Sequence, residues 1–200
     1  EYIDTDDRIF PRHGIGVTVE VRGGLESVGS DANFAQAWGQ ARWYQAVGKG
    51  NRLILRGEAG GTFTNALVNM PPSLRFFAGG DNSIRGYGFR EVGPNTIGMD
   101  GKKYAIGGKY VLTGSAEFEH YFNDGPWGAA VFVDAGDAFN KFGGEVSDPN
   151  DRDQNFDLHT GVGVGVRWRS PVGPGRVDIA RGLNDPDSDY EIYLNIGATW

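Results

Sequence analysis

The sequence has no cysteine, no long apolar run and no surplus of positive charge. Without cysteine among its 200 residues, disulfides, thiolate metal ligands and a cysteine nucleophile are excluded. No apolar run approaches the roughly 18 residues that a membrane-spanning helix needs. The net charge of −7 argues against a nucleic-acid partner, because phosphates are bound by basic surfaces.

Signatures of catalysis and metal binding are equally scarce. His13, His120 and His159 are scattered and lack the spacing of metal ligands. Ser83 stands outside any nucleophile-elbow sequence and has no plausible catalytic triad. We therefore expect no catalytic residue, no metal, no cofactor and no enzymatic activity.

Glycine is abundant instead, at 33 of 200 residues, and it is interleaved with β-branched and aromatic side chains. The clearest pattern runs from Leu158 to Trp168. There Val162, Val164 and Val166 share one face, while three glycines and Arg167 share the other. Period-two alternation of this length is typical of a membrane-crossing strand, whereas a helix would scatter the valines around its axis.

The same alternation recurs along the chain and predicts about eight strands. They fall in the segments Ile15–Arg22, Asn33–Val47, Arg52–Arg56, Ile106–Glu119, Ala129–Ala135, Leu158–Trp168, Arg176–Leu183 and Tyr190–Trp200. The connections alternate between short ones, at Gly48–Asn51, Asn123–Pro126 and Pro171–Gly175, and long ones, at Gly23–Ala32, Gly60–Ala105, Asn140–Asp157 and Asn184–Asp189. This asymmetry favours an all-β, antiparallel transmembrane β-barrel. Strand length argues against a soluble β-sandwich, because several of these segments reach about 10 to 15 residues whereas soluble strands average about five or six.

The longest connection, about residues 60–105, is of a length that is usually functional or disordered. It contains the run Phe76-Phe77-Ala78-Gly79-Gly80-Asp81-Asn82-Ser83-Ile84-Arg85-Gly86-Tyr87. This run resembles the conserved loop of the Omp85 superfamily, whose core is Val/Ile-Arg-Gly-Phe/Tyr. Two later segments, Gly114-Ser115-Ala116-Glu117-Phe118 and Phe132-Val133-Asp134-Ala135-Gly136, are similar to the family's Ser-Ala-Glu and Phe-x-Asp-x-Gly strand motifs.

The resemblance implies a barrel of 16 strands with this loop inside the lumen, where the arginine pairs with acidic side chains of the wall. The lumenal loop lock would consist of Ile84, Arg85, Gly86, Tyr87, Glu117 and Asp134. Alternation agrees independently, because Glu117 and Asp134 lie opposite the apolar Phe118 and Val133 and should face inward. An acid–base role for the two carboxylates ranks below this salt-bridge role, since no cleft signature accompanies them.

Members of the family carry periplasmic POTRA domains and eight further strands upstream, and neither is in residues 1–200. A barrel closed by about eight strands is filled by its own side chains and could not also hold the loop. We therefore expect the C-terminal half of a barrel that is completed by an upstream half or by a second copy. Gly165–Pro174 and Arg176–Ala180, with the extended form of the loop, resemble translocation-and-assembly-module outer-membrane subunits in particular.

The last strand carries an apolar stripe that ends on an aromatic residue. Its members are Tyr190, Ile192, Leu194, Ile196, Ala198 and Trp200, with Gly197 on the opposite face. The stripe looks like the C-terminal insertion signal of outer-membrane barrels, and in the full barrel this strand would form the seam with the first strand.

The resemblance implies a bacterial outer-membrane protein that inserts or translocates other proteins. Its expected partners are outer-membrane lipid, client outer-membrane or secreted proteins, the POTRA domains and an inner-membrane-anchored assembly partner. Three alternatives stay open: a two-partner secretion pore of the same superfamily, a plain porin-like channel, and a membrane anchor for a fused enzyme.

Overall fold

Antiparallel β-strands form most of the chain. A computed structural model describes residues 1–25, 33–64, 67, 70–99, 103–143, 155–171, 173–184 and 189–197. In those residues the strands are β1 (Tyr2–Thr5), β2 (Gly14–Gly24), β3 (Phe34–Ala46), β4 (Asn51–Thr64), β5 (Asn95–Ile97), β6 (Lys103–Ala105), β7 (Tyr110–Tyr121), β8 (Trp127–Phe139), β9 (His159–Ser170), β10 (Gly173–Gly182) and β11 (Tyr190–Ile196). Short 3₁₀ turns lie at Pro72–Leu74 and Phe122–Asp124.

Nine of these strands form a single sheet in the order β1-β2-β3-β4-β7-β8-β9-β10-β11, and β5 and β6 form a separate hairpin. Every neighbouring pair is antiparallel, so the sheet is a meander. Across the described residues no pairing joins β11 to β1 or β2, which leaves two sheet edges. The all-β antiparallel fold predicted from the sequence is confirmed.

The two faces of the sheet have the polarity of a membrane barrel rather than that of a soluble sandwich. Apolar side chains are exposed on one face, here called the outer face, as with Val164, which is 58% exposed. Charged side chains are buried on the opposite, inner face, among them Glu117 and Asp134. The strands are also long, with 14 residues in β4 and 13 in β8, which is enough to cross a bilayer at a tilt. The outer face is therefore the lipid-facing surface.

Some element boundaries differ from those expected. Strand β1 lies in the polar N-terminal segment, where alternation predicted nothing, and it pairs only with the start of β2. The long connection was expected at about 60–105, but β4 runs on to Thr64, β7 begins at Tyr110, and the β5–β6 hairpin lies between them. No helix in the described part of the chain is long and apolar enough to cross a membrane.

The connection between β4 and β7, residues 65–109, is here called the lumenal loop, and its described residues 70–99 and 103–109 cross the inner face of the sheet. Isolated bridges join Phe76 to Gly108 and Ala78 to Val92, so the loop folds back on itself. A small apolar cluster then packs it against β8, and its members are Ala78, Ile84, Tyr87, Val92 and Ala138. Burial of these side chains holds residues 79–87, here called the loop tip, against the wall.

Candidate functional site

A tight turn presents the loop tip to the inner face. The Gly80 amide donates to the Ile84 carbonyl at 3.1 Å, and the Ser83 amide donates back to the Gly80 carbonyl at 3.1 Å. From β4, the Arg56 guanidinium donates to the Ser83 carbonyl at 2.6 Å. The turn therefore directs the next residues, Ile84 and Arg85, into the wall, where both are almost completely buried.

The Arg85 guanidinium lies among three carboxylates from three strands. It forms a fork with Asp134 of β8, with Nε–Oδ2 at 2.7 Å and Nη2–Oδ1 at 3.0 Å. Its Nη1 donates to Glu117 of β7 at 2.7 Å and to Asp178 of β10 at 3.1 Å. The backbone amide of Arg85 also donates to Asp134, at 3.0 Å. The structure thus brings the loop arginine together with both acids that the motifs singled out, and adds a third.

A second arginine extends the network along the inner face. Arg167 of β9 donates to Glu117 at 2.6 Å, to Glu119 at 3.0 Å and to Asp178 at 2.5 Å. Glu119 also pairs with Arg52 of β4, which in turn donates to the Pro11 carbonyl. Buried charges are tolerated when they are paired and hydrogen-bonded in this way.

Sequence reasoning missed Arg167 and Asp178 as members of the site. The signal that could have found them is a charged residue on the glycine-bearing face of an alternating strand. Arg167 shares its face with Gly165, and Asp178 lies opposite Gly165 in the register of β9 and β10.

A column of glycines on β9 makes room for the loop. A Cβ at Gly161 would collide with the Arg85 carbonyl oxygen, and one at Gly163 would collide with the Phe132 ring. A Cβ at Gly165 would collide with the Asp178 carboxylate. The Arg85 guanidinium stacks over Phe132 at 3.4 Å from the ring centroid, a cation–π contact that needs this space. The inner surface of β9, which has no side chains at these glycines, is therefore part of the surface of the wall on which the loop docks, here called the seat of the loop.

Gly86 and Tyr87 fit against the end of β10. Gly86 has φ 94°, and a Cβ there would lie 2.6 Å from the Gly182 nitrogen and 2.7 Å from the Arg181 oxygen. Only glycine allows so close an approach at this positive φ. The Tyr87 hydroxyl accepts from the backbone amide of Asn184 at 3.3 Å and donates to the Thr160 carbonyl at 3.3 Å.

The loop tip also reaches the last strand. The Gly86 amide donates to the Tyr193 hydroxyl at 2.9 Å, and that hydroxyl donates to the Tyr87 carbonyl at 2.8 Å. Asp81, earlier in the tip, pairs with Arg176 of β10 at 2.7 Å and accepts from Asn195 of β11 at 3.2 Å. Tyr193, Asn195 and Arg176 were not singled out from the sequence.

The apolar stripe of the last strand faces outward. Tyr190, Ile192, Leu194 and Ile196 are each at least 65% exposed. Gly197 follows with φ 122° and donates its amide to the Pro174 carbonyl. Ala198 and Trp200 lie outside the described residues.

The described side chains of this site form a network of ion pairs. Among the described residues, no group of three or more His, Cys, Asp or Glu side chains is arranged to hold a metal ion. The carboxylates of the network form salt bridges with arginines from the loop, β4 and β9. Such an arrangement fixes a loop to a wall.

Comparisons with known proteins agree with this architecture. The model of the Omp85 superfamily domain matches residues 2–200. The outer membrane protein assembly factor BamA of Neorickettsia risticii is 27% identical over 92% of this chain and 24% of its own length. BamA of Neisseria meningitidis is 27% identical over 98% of this chain and 27% of its own. The chain thus spans about a quarter of the length of these curated relatives.

A solved structure shows the same fold. The crystal structure of BamA from Haemophilus ducreyi lacking POTRA domains 1-3 superposes with a TM-score of 0.75 at 21% identity, covering 96% of this chain and 39% of that one. Because the family model matches nearly every residue, the chain belongs to the Omp85 superfamily and is a protein of the bacterial outer membrane.

Proposed function

We propose that this chain is the C-terminal barrel portion of a component that assembles or translocates outer-membrane proteins without a catalytic site. The observation that carries the proposal is a lumenal loop fixed by Arg85 to Asp134 and Glu117, beside a terminal strand, β11, that has one pairing partner in the described chain. The BamA relatives, named as outer membrane protein assembly factors, support the same role.

The proposed mechanism uses the edge of the sheet. Unpaired backbone groups in lipid cost several kcal/mol each, so an edge strand that loses its seam partner strongly favours a new one. A client strand can then add to β11 through backbone hydrogen bonds, while the outward stripe of β11 sets its register and depth. The first strand of the seam would come from the upstream half of the barrel, and POTRA domains would deliver the client.

The finer placement that we propose is the translocation-and-assembly-module branch. Its support is the loop from Arg75 to Tyr87 and the segments Gly165–Pro174 and Arg176–Ala180. The relatives described above are BamA proteins, so this placement depends on those motifs alone.

The test is a client-assembly assay with the full-length protein in lipid vesicles. We expect an unfolded outer-membrane client to reach its folded, protease-resistant form faster in vesicles that contain the protein than in empty ones. No acceleration, together with large and steady ion currents, would instead favour a plain channel. Export of one soluble partner without client insertion would favour a two-partner secretion pore.

A further inference from the structure

Strand β11 is attached to the sheet along one side. Its seven residues pair in register with Gly175–Arg181 of β10, and in the described chain its other edge has no partner. A strand that loses its seam partner and keeps one neighbour frays readily, because each of its residues then shares backbone hydrogen bonds with one strand rather than two. Contacts from outside the sheet therefore matter for its position.

The loop tip supplies such contacts at two separate points. Tyr193 accepts from the Gly86 amide and donates to the Tyr87 carbonyl, so one hydroxyl satisfies two backbone groups of the loop. Asn195, two residues on and on the same face, donates to Asp81. Asp81 is itself held by Arg176 of β10, with both carboxylate oxygens 2.7 Å from Nη2.

We infer that Tyr193 and Asn195 are positioning residues that fasten the edge strand to the lumenal loop, so that the seat of the loop controls how freely β11 opens. The inference rests on the proposed function, because an opening edge matters only if β11 is a seam. The hydrogen bonds and ion pairs of Arg85 to described residues go to β7, β8 and β10, yet Arg85 fixes the two residues that follow it, Gly86 and Tyr87, and these hold Tyr193. Release of Arg85 should therefore reach β11 through the loop.

Amide hydrogen exchange of the full-length protein in lipid nanodiscs, without any client, tests the inference. Tyr193→Phe keeps the ring and removes both hydrogen bonds of the hydroxyl. Each of these hydrogen bonds changes the opening equilibrium of β11 by a factor of up to about ten, so we expect amides of β11 to exchange roughly 5- to 100-fold faster. Amides of β7 and β8 should be unchanged. The matched control is Tyr190→Phe on the same strand, whose side chain points outward and is 69% exposed.

The coupling itself is tested by Arg85→Lys, which retains the charge but loses the planar fork. We expect faster exchange both in residues 79–87 and in β11, and in the double variant with Tyr193→Phe the effects on β11 should be less than additive. Faster exchange of the loop with β11 unaffected would overturn the inference, as would equal effects of Tyr193→Phe and Tyr190→Phe.

These measurements separate the inference from the proposed function. Exchange is recorded without a client, so it reports the attachment of β11 whether or not the protein assembles anything. The same variants are then assayed for client assembly in vesicles. If β11 exchanges faster in the variants but the unaltered protein assembles no client, the proposed function is wrong and the inference about the attachment of β11 still holds.

Discussion

Replacement of Arg85 by alanine leaves some carboxylates of the network paired and one unpaired, and the structure shows which. Glu117 and Asp178 keep Arg167, which contacts both carboxylates. Asp134, fully buried, loses the one guanidinium that lies within salt-bridge distance among the described residues and keeps the Ser115 hydroxyl. Removing one partner of a buried pair costs about 3–5 kcal/mol, because the remaining charge is uncompensated. The docking of the loop, rather than the sheet, should lose this stability, because the ladder hydrogen bonds of β7 and β8 are unaffected.

Hydrogen exchange of the loop measures this effect. A loss of about 3–5 kcal/mol corresponds to roughly two to almost four orders of magnitude faster exchange for amides whose protection depends on the attachment of the loop to the wall. Arg90→Ala is the matched control, because Arg90 lies in the same loop and stacks on Phe77 and Phe89 without a described salt bridge. It should change exchange of residues 79–87 only slightly.

A second substitution shows whether the buried charge is the cause. Adding Asp134→Asn to Arg85→Ala removes the uncompensated carboxylate and should restore part of the lost protection. Unchanged protection in Arg85→Ala, or a further loss in the double variant as large as that of Asp134→Asn alone, would refute the electrostatic reasoning.

Two further substitutions and one deletion test other parts of the architecture. Gly86→Ala should release the loop tip to proteolysis, because its Cβ would meet the β10 backbone; Gly48→Ala, also at positive φ but with open space around it, is the control and should cost only about 1–2 kcal/mol. Val164→Arg should lower the free energy of unfolding in lipid vesicles by about 2–4 kcal/mol near mid-bilayer, and no loss would contradict a lipid-facing valine. Deleting Ala198–Trp200 should yield a protease-sensitive periplasmic species, whereas assembly at the normal rate would show that the stripe is only lipid-facing surface.

Period-two alternation predicted the long strands because each of them has one face toward lipid and one toward the lumen. β9 and β11 show this most clearly, with exposed aliphatic residues at every second position. β1 was not predicted, since Tyr2–Thr5 is short and its strand conformation depends on pairing with β2. The hairpin of β5 and β6, three residues on each side, likewise carries too few residues to show a period.

The sequence predicted those residues of the site that lie within its short motifs. Ile84, Arg85, Glu117 and Asp134 were identified from short runs of sequence, and the face of each acid followed from its apolar neighbours. Tyr193 could not be found in this way, because its hydroxyl meets the loop only through the path that the loop takes across the sheet. Alternation places a side chain on a face but does not say what crosses that face.

The sequence separation of the loop contacts has a consequence for the order of events in assembly. Arg85 and Asp178 are 93 residues apart, and Gly86 and Tyr193 are 107 apart. Contacts this distant form only after the intervening chain has been arranged, and the entropy of closing the loop is lost before they compensate for it. The contacts with Asp178 and Tyr193 therefore form only after β10 and β11 have joined the wall, whereas those of Arg85 with Glu117 and Asp134 require only β7 and β8. Completion of the loop contacts is a late step, and a stalled intermediate would still lack the contacts to β10 and β11.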